Sequence, residues 1–400
     1  MADPVTAENR RAVLNQLLAA SRQRLVANER SASNEMMDFD RRPVVMFGAA
    51  GLGAYLARTL KTVGLSVCAF VDNNPSKHGQ SLEGLRVLSV DDGIRLYGNS
   101  ATWVVAVWRD SAVLQQLKDA NCRAVSFVPV MWKYAELCLP YFSLGLPSAL
   151  MNNEREVRRG FDLMEDDVSR QIYIEQVEFR LATDFAYLSD RTAVYSNGYF
   201  TERLYTRYDN ERFVDLGAYD GDTLLEFLRE YGTFHSALLC EADKSNFAKL
   251  ENTIAELPSH IRTKVEAMAV AVGANNGTIR FSASGDVLAK ISSDGHSVVS
   301  CVTLDSIAER FPPTLVKMDI EGSERDALAG ATAMMAKYRP VLAISAYHCH
   351  DDLWRIPLTV ATFPEYAILL RQQRDVYGDV VCYAIPRERL IIPALSQALR

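Results

Sequence analysis

Residues 213–223 read FVDLGAYDGDT, an apolar and β-branched run that stops at Asp215 and turns through Gly217 and Gly221 toward a helical segment near Thr223. A strand that ends in Asp-x-Gly-x-x-x-Gly and leads straight into a helix belongs to an open α/β sheet. Ligands of such sheets lie beyond the carboxyl ends of the strands, and glycine lets the backbone come close to them. The carboxylates restrict the ligand. Asp215, Asp220 and Asp222 in one turn would repel a pyrophosphate, which needs backbone N–H groups and a helix dipole. A cationic ligand without phosphate is not repelled.

The same alternation recurs along the chain. PVVMFGAAGLGAYLARTLKTVGLSVCAFVDNNP reads strand, glycine turn, helix, strand, with further signals at WVVAVW and SAVLQQLKDA. From 212, RFVDLG, SALLCEA, VEAMAVAV, TLVKMDI and PVLAISAYH alternate with the helical stretches KSNFAKLENTIAEL and SERDALAGATAMMAKY. YAILLRQQ and VVCYAIP flank the turn RDVYGD and predict a closing antiparallel hairpin. The expected fold class is α/β with two Rossmann-like domains. An N-terminal helix and linker occupy 1–41, the helix RAVLNQLLAASRQRLV being read as a packing or dimer helix. A first α/β domain follows over 42–147, a charged helical connector over 148–207, and a second α/β domain over 208–400. With 400 residues, 48% of them hydrophobic, each domain has enough chain for its own core.

The net charge of −7 argues against general affinity for nucleic acid or anionic lipid. Seven scattered cysteines without a CxxC pair fit reduced thiols. Asp3, Glu8, Arg10 and Arg11 stand where a signal peptide would be apolar, and no apolar run is long enough to span a bilayer. The expectation is a cytoplasmic protein with neither nucleic acid nor membrane as partner, and with a homodimer left open.

S-adenosyl-L-methionine carries a sulfonium and an ammonium group and no phosphate, so it suits the acidic turn. Asp215 would accept from its amino group or orient the loop. Glu241, 26 residues on at the end of SALLCEA, would accept from both ribose hydroxyls. Gly217, Tyr219, Gly221, Asp222 and Thr223 complete the cofactor loop, while Ala269 and Val270 would line the adenine pocket. Asp220 and Asp222 have the alternative task of capping the helix. Further on, TLDSI at 303–307, LVKMDIEGSERDALAGA at 315–331 and ISAYH at 344–348 occur in order. With these motifs, the stretch from about 200 to 386 resembles the FkbM-type methyltransferases, a class I S-adenosylmethionine-dependent family. The resemblance implies a mostly parallel sheet closed by an antiparallel hairpin. It also implies O-methylation of a hydroxyl on a sugar, glycan or related natural product, as in polysaccharide biosynthesis.

Methyl transfer is an in-line displacement, so catalysis rests on holding the acceptor oxygen behind the methyl group, and an alcohol must also lose its proton. VKMDIEGSE brings Asp319 and Glu321 to the sheet edge with Glu324 a helical turn on, and AYHCHDD brings Tyr347, His348, His350 and Asp351 to the same rim. Two uses stay open: His348 or Asp319 as base, or Asp319, Glu321 and His348 as ligands of a divalent metal that acidifies the hydroxyl. Asp319 also counts among the cofactor contacts. Glu321 and Glu324 have the alternative role of complementing a helix N-terminus, and His350 reads as a solvated rim residue. Lys317 lies inside a strand and needs an anion; Asp319 shares its face two residues on.

In the first domain Gly48, Gly51 and Gly53 give G-x-x-G-x-G, not the G-x-G-x-x-G of dinucleotide binders. Asp72 ends the next strand where a ribose-binding acid would sit. FVDNNPSKHGQSLEGLRVLS is similar to the N-terminal domain of sugar acyltransferases, which implies a nucleotide or nucleotide-sugar partner; an assembly module without ligand is the alternative. Two rival functions follow: an NAD(P)-dependent oxidoreductase acting through residues 43–110, and a non-catalytic nucleotide-sugar-binding module.

Overall fold

The structure is a computed structural model that describes residues 8–20, 41–108, 110–182, 198–200, 203–282, 290–291, 297–373 and 379–391. It divides into two compact units, one of 15–152 with 178–187 and one of 1–14, 153–177 and 188–400. Residues 8–20 are helical; the rest of the expected N-terminal helix, and 374–378 of the hairpin turn, lie outside the described residues.

In the first unit the strands are β1 (Val44–Phe47), β2 (Val67–Val71), β3 (Ser81–Leu82), β4 (Leu85–Leu88), β5 (Thr102–Val105) and β6 (Arg123–Ser126), in the order β3-β4-β2-β1-β5-β6. All neighbours are parallel except β3 and β4. The central strands are apolar on both faces, as a sheet covered on both sides requires. Their core centres on the fully buried Trp103.

The main sheet of the second unit contains β7 (Arg212–Leu216), β8 (Ser236–Cys240) and β9 (Val265–Met268). A smaller sheet is inserted after it, of β10 (Ala271–Val272), β11 (Gly277–Ser282), β12 (Lys290–Ile291) and β13 (Ser297–Val302). The main sheet resumes with β14 (Leu315–Met318), β15 (Val341–Ser345), β16 (Tyr366–Gln372) and β17 (Val380–Pro386), giving the order β16-β17-β15-β14-β7-β8-β9. Its strands run parallel apart from the closing hairpin β16–β17 and its pairing with β15. The strand order reverses at β7 and β14, so the crevice for a ligand lies beyond their carboxyl ends.

Two expectations change here. VEAMAVAV is one apolar run, yet the chain leaves the main sheet after Met268 and its last two residues pair with β13. An apolar run does not say which sheet will receive it. SERDALAGATAMMAKY reads as one helix but forms two, Glu324–Ala329 and Thr332–Tyr338, broken at Gly330.

Edge strand β16 is covered by the segment before the helix Asp167–Ala182. Glu165 N donates to Ile368 O at 2.9 Å and Leu370 N donates to Ser169 Oγ at 2.9 Å, which occupies edge groups that would otherwise invite another strand. Arg371, 3% exposed, fixes the cover by donating to Asp166 Oδ2 at 2.7 Å and to Ser169 Oγ at 3.1 Å. Burial alone would raise the Asp166 carboxyl, but Arg371 and the Ser169 donors hold it below its ordinary range. That stability is present above the unfolded carboxyl value of about 3.9 and is lost as pH falls through the folded one. Asp166→Asn should therefore cost about 3 kcal/mol in urea denaturation at neutral pH, with the gap to wild type closing in acid.

Candidate functional site

After β7 the chain turns at Gly217 (φ +76°), Tyr219 (φ +49°) and Gly221 (φ +92°) into the helix Asp222–Tyr231. A Cβ on Gly217 would lie 1.9 Å from the carbonyl oxygen of Asp319, and one on Gly221 would meet Thr253 and Leu250 at 3.1 and 3.2 Å. The space of the missing side chains is filled by protein. What these glycines supply is the left-handed turn and the close approach of two loops, where the sequence reading had them clear room for a ligand.

Glu241 follows β8 and is 7% exposed. Its Oε2 accepts from Tyr219 N at 2.9 Å and its Oε1 from Asp243 N at 2.7 Å, which ties the acid to the glycine turn and leaves one lone pair on each oxygen for a ligand. Burial raises its carboxyl above the usual range. Asp220 accepts from Asp222 N at 3.3 Å, and Asp222 from Thr223 N at 2.8 Å, so both acids serve the start of the helix. Thr223 is buried, and Ala269 is exposed just past the end of β9.

Across the switch point Lys317 of β14 sits in register with Asp215 of β7. Its ammonium lies 3.0 Å from Asp215 Oδ1 and donates to Gly217 O at 2.8 Å, with both side chains almost dry. The partner of Lys317 is thus the carboxylate opposite it on the neighbouring strand, not the Asp319 that the pleat also allowed. Burial pushes the Asp215 carboxyl up to about 7 against the pull of Lys317. The lysine, although burial alone would lower it, is held above its ordinary value by Asp215 and Asp319. Asp215 Oδ2 meets no hydrogen-bond donor among the described residues.

Beyond β14, Asp319 Oδ2 accepts from the Tyr199 hydroxyl at 3.0 Å. Its Oδ1 lies 3.3 Å from His348 Nε2 and accepts from the Tyr347 hydroxyl at 3.4 Å. His348 Nδ1 is 2.8 Å from Glu324 Oε1, which also accepts from Ile320 N at 2.9 Å. Glu321 is more distant, its Oε1 3.7 Å from His348 Nε2. His348 and Glu324 are buried, whereas the Asp319 side chain keeps 26% of its surface open. Burial alone would lower the imidazole, but Glu324, Glu321 and Asp319 push it up to about 10. Burial alone would raise Asp319, but Lys317 and His348 hold it below the usual carboxylate range. At neutral pH the cluster is therefore an imidazolium between carboxylates, and Asp319 is the member that is both unprotonated and open.

Asp319, Glu324 and His348 each place one donor atom within 4.8 Å of the others. This differs from the expected metal set by the exchange of Glu321 for Glu324. Glu324 Oε2 is buried without a hydrogen-bond partner among the described residues. His350 is buried edge-on against Trp354 at 5.7 Å, not solvated as expected, because the chain turns it inward before the helix Asp352–Val360. Asp351 is drawn off by Arg325 at 3.1 Å and Arg355 at 3.5 Å. Sequence reading missed Tyr199 and Ser345 and gave Glu324 no histidine partner; no local pattern marks Tyr199, which lies 120 residues from the carboxylate it touches.

In the first unit Asp72 stands where Glu241 stands in the second. Its oxygens accept from Ala49 N at 2.9 Å and Asn74 N at 2.8 Å, and Lys77 adds an ammonium at 2.8 Å. A Cβ on Gly53 would lie 2.0 Å from Gly48 O, so this glycine turn also serves close packing.

Residues 215–377 match the family described as the Methyltransferase FkbM domain. Methyltransferase FkbM from Methylobacillus flagellatus KT shares the fold: the match has a TM-score of 0.72 at 22% identity and covers 94% of this chain and 100% of that one. UDP-D-quinovosamine 4-dehydrogenase from Vibrio fischeri matches at 19% identity over 21% of this chain and 76% of that one. Precorrin-6y C5,15-methyltransferase from Geobacter metallireducens GS-15 matches at 9% identity over 44% and 80%. Their TM-scores of 0.20 and 0.29 carry no argument. No curated protein matches the chain. No helix among the described residues is long and apolar enough to cross a membrane.

Removing one partner of a buried pair leaves an uncompensated charge, whereas replacing both with apolar groups does not. Lys317→Met should cost about 3–5 kcal/mol in chemical denaturation, and the double variant Lys317→Met/Asp215→Leu should recover more than half of that loss. Gly217→Ala should destabilise the fold as well, since its methyl group cannot share space with the Asp319 carbonyl.

Proposed function

We propose, with the FkbM-type methyltransferase domain at 215–377 as the premise, that the protein is an S-adenosyl-L-methionine-dependent O-methyltransferase acting on a hydroxyl of a sugar, glycan or related natural product. The observation that carries this reading is the convergence, at one switch point, of an acidic cradle unsuited to phosphate and the open Asp319 carboxylate beside an imidazolium. Bound S-adenosylmethionine supplies an electrophilic methyl group and leaves as a neutral thioether. Glu241, held by two backbone N–H groups, would bind the ribose hydroxyls; Asp215, buried against Lys317, would orient the turn that receives the amino acid end. Lys317 and His348 keep Asp319 ionised, and it takes the proton from the acceptor hydroxyl as the methyl group is transferred.

A divalent cation is the second reading for the same cluster. The donors, two carboxylates and an imidazole, are of the right chemistry, and Glu324 Oε2 has an unused lone pair. A nucleotide-sugar at the first unit, a homodimer and a cytoplasmic setting complete the proposal. The rival oxidoreductase reading is weakened by the G-x-x-G-x-G order of the first glycine turn, in which Gly53 packs against Gly48 O.

Calorimetric titration with S-adenosylmethionine should give micromolar binding that weakens at least about tenfold in Glu241→Ala, one good hydrogen bond to a charged group being worth that much. Asp319→Asn should keep the binding and reduce release of S-adenosylhomocysteine, in the presence of a panel of sugar acceptors, by about 10²–10⁴-fold. NAD binding in place of S-adenosylmethionine would sink the proposal. Loss of turnover on chelation, restored by magnesium or manganese, would favour the metal reading.

A further inference from the structure

Tyr199 lies upstream of β7 and is seated by its neighbours' backbone and side chains. Its carbonyl accepts from the Tyr383 hydroxyl at 2.9 Å, and Phe200 N donates to Glu226 Oε1 at 2.8 Å. The Phe200 ring is held edge-on to Phe213 and Phe227 at 5.6 and 5.1 Å. With its main chain clamped, Tyr199 delivers its hydroxyl to Asp319 Oδ2 at 3.0 Å and meets Ser345 Oγ at 3.2 Å. Its ring lies 5.5 Å from the Lys317 ammonium, within reach of a cation–π contact. Burial holds the phenol well above its ordinary range, so it remains a donor at any working pH.

A carboxylate can swing about its side-chain bonds, and a base must be held to be effective. Tyr199 holds Oδ2 of Asp319 at 3.0 Å, closer than His348 and Tyr347 approach its Oδ1, and Ser345, which Tyr199 also touches, bonds the same carboxylate. Oδ1 has the looser contacts, at 3.3 Å from His348 Nε2 and 3.4 Å from the Tyr347 hydroxyl, and is the oxygen that can exchange one of them for a further group. We infer that Tyr199 is a positioning residue for the transfer step, pinning Asp319 Oδ2 so that Oδ1 is presented to the acceptor hydroxyl. The inference rests on the methyltransferase reading above.

Tyr199→Phe keeps the ring over Lys317 and both backbone anchors and removes only the hydroxyl. Release of S-adenosylhomocysteine is measured with the sugar panel and with water as the sole acceptor. In Tyr199→Phe, kcat should fall about 10- to 100-fold, with KM for S-adenosylmethionine and the melting temperature unchanged. Because Tyr199 acts through Asp319, adding Tyr199→Phe to Asp319→Asn should cause no further loss. Equal kcat in wild type and Tyr199→Phe, or losses that multiply in the double variant, would overturn the inference alone. A wild type that binds no S-adenosylmethionine, or binds it and releases no product, overturns the methyltransferase reading and this inference with it. A variant that melts early and loses donor affinity and kcat together shows a structural role and also overturns it.

Discussion

One buried ammonium organises the second unit. Lys317 stands in the middle of the sheet at the strand pair where the order reverses, and a charge there is tolerable only if anions and dipoles replace the water it has lost. Asp215 faces it from the neighbouring strand, the carbonyl of Gly217 accepts a hydrogen bond from it, and the Tyr199 ring covers it. In return the lysine lets two carboxylates, Asp215 and Asp319, exist on either side of the same loop pair. Asp319 stays ionised because Lys317 and His348 both oppose the effect of burial. The site is thus a chain of alternating acids and cations, Asp215, Lys317, Asp319, His348 and Glu324, of which Asp215, pushed up to about 7 by burial, is only partly ionised at neutral pH.

The two units show what the α/β frame supplies by itself and what it does not. In both, an acid past the end of the second strand accepts from a backbone N–H of the glycine turn and from the N–H two residues further along. This bridge aligns the turn with the neighbouring strand whether or not a ligand is bound. The difference lies in what else approaches the acid. Asp72 already has the Lys77 ammonium, whereas Glu241, among the described residues, accepts from two backbone N–H groups and keeps acceptor capacity for a polar ligand.

Much of this was readable from the residues, because strand, turn and helix are local signals. The strands around Asp215, Asp319 and His348 and the closing hairpin follow from apolar runs and turn residues, and the motifs place these acids at one edge. What the residues did not declare was pairing across the fold. Lys317 can face Asp319 by pleat geometry, and only the register of β7 against β14 gives it to Asp215. Glu324 reads as a helix-start acid until β15 brings His348 beside it. The inserted sheet was missed because β10 reads as the tail of the apolar run of β9, and the pairing of β11 with β13 joins residues about twenty positions apart that no local pattern connects.

The interlock at Gly217 has a wider consequence. The carbonyl of Asp319 occupies the place where any other residue would carry its first side-chain carbon, so the turn after β7 and the loop after β14 fit together as one mechanical part. Neither can drift without the other, and a lineage that altered one alone would lose the fit. Variation in what such a chain recognises must then arise in parts outside the interlock, such as the sheet of β10–β13. The fold separates a part that must move and change as a whole from surfaces that can change one residue at a time.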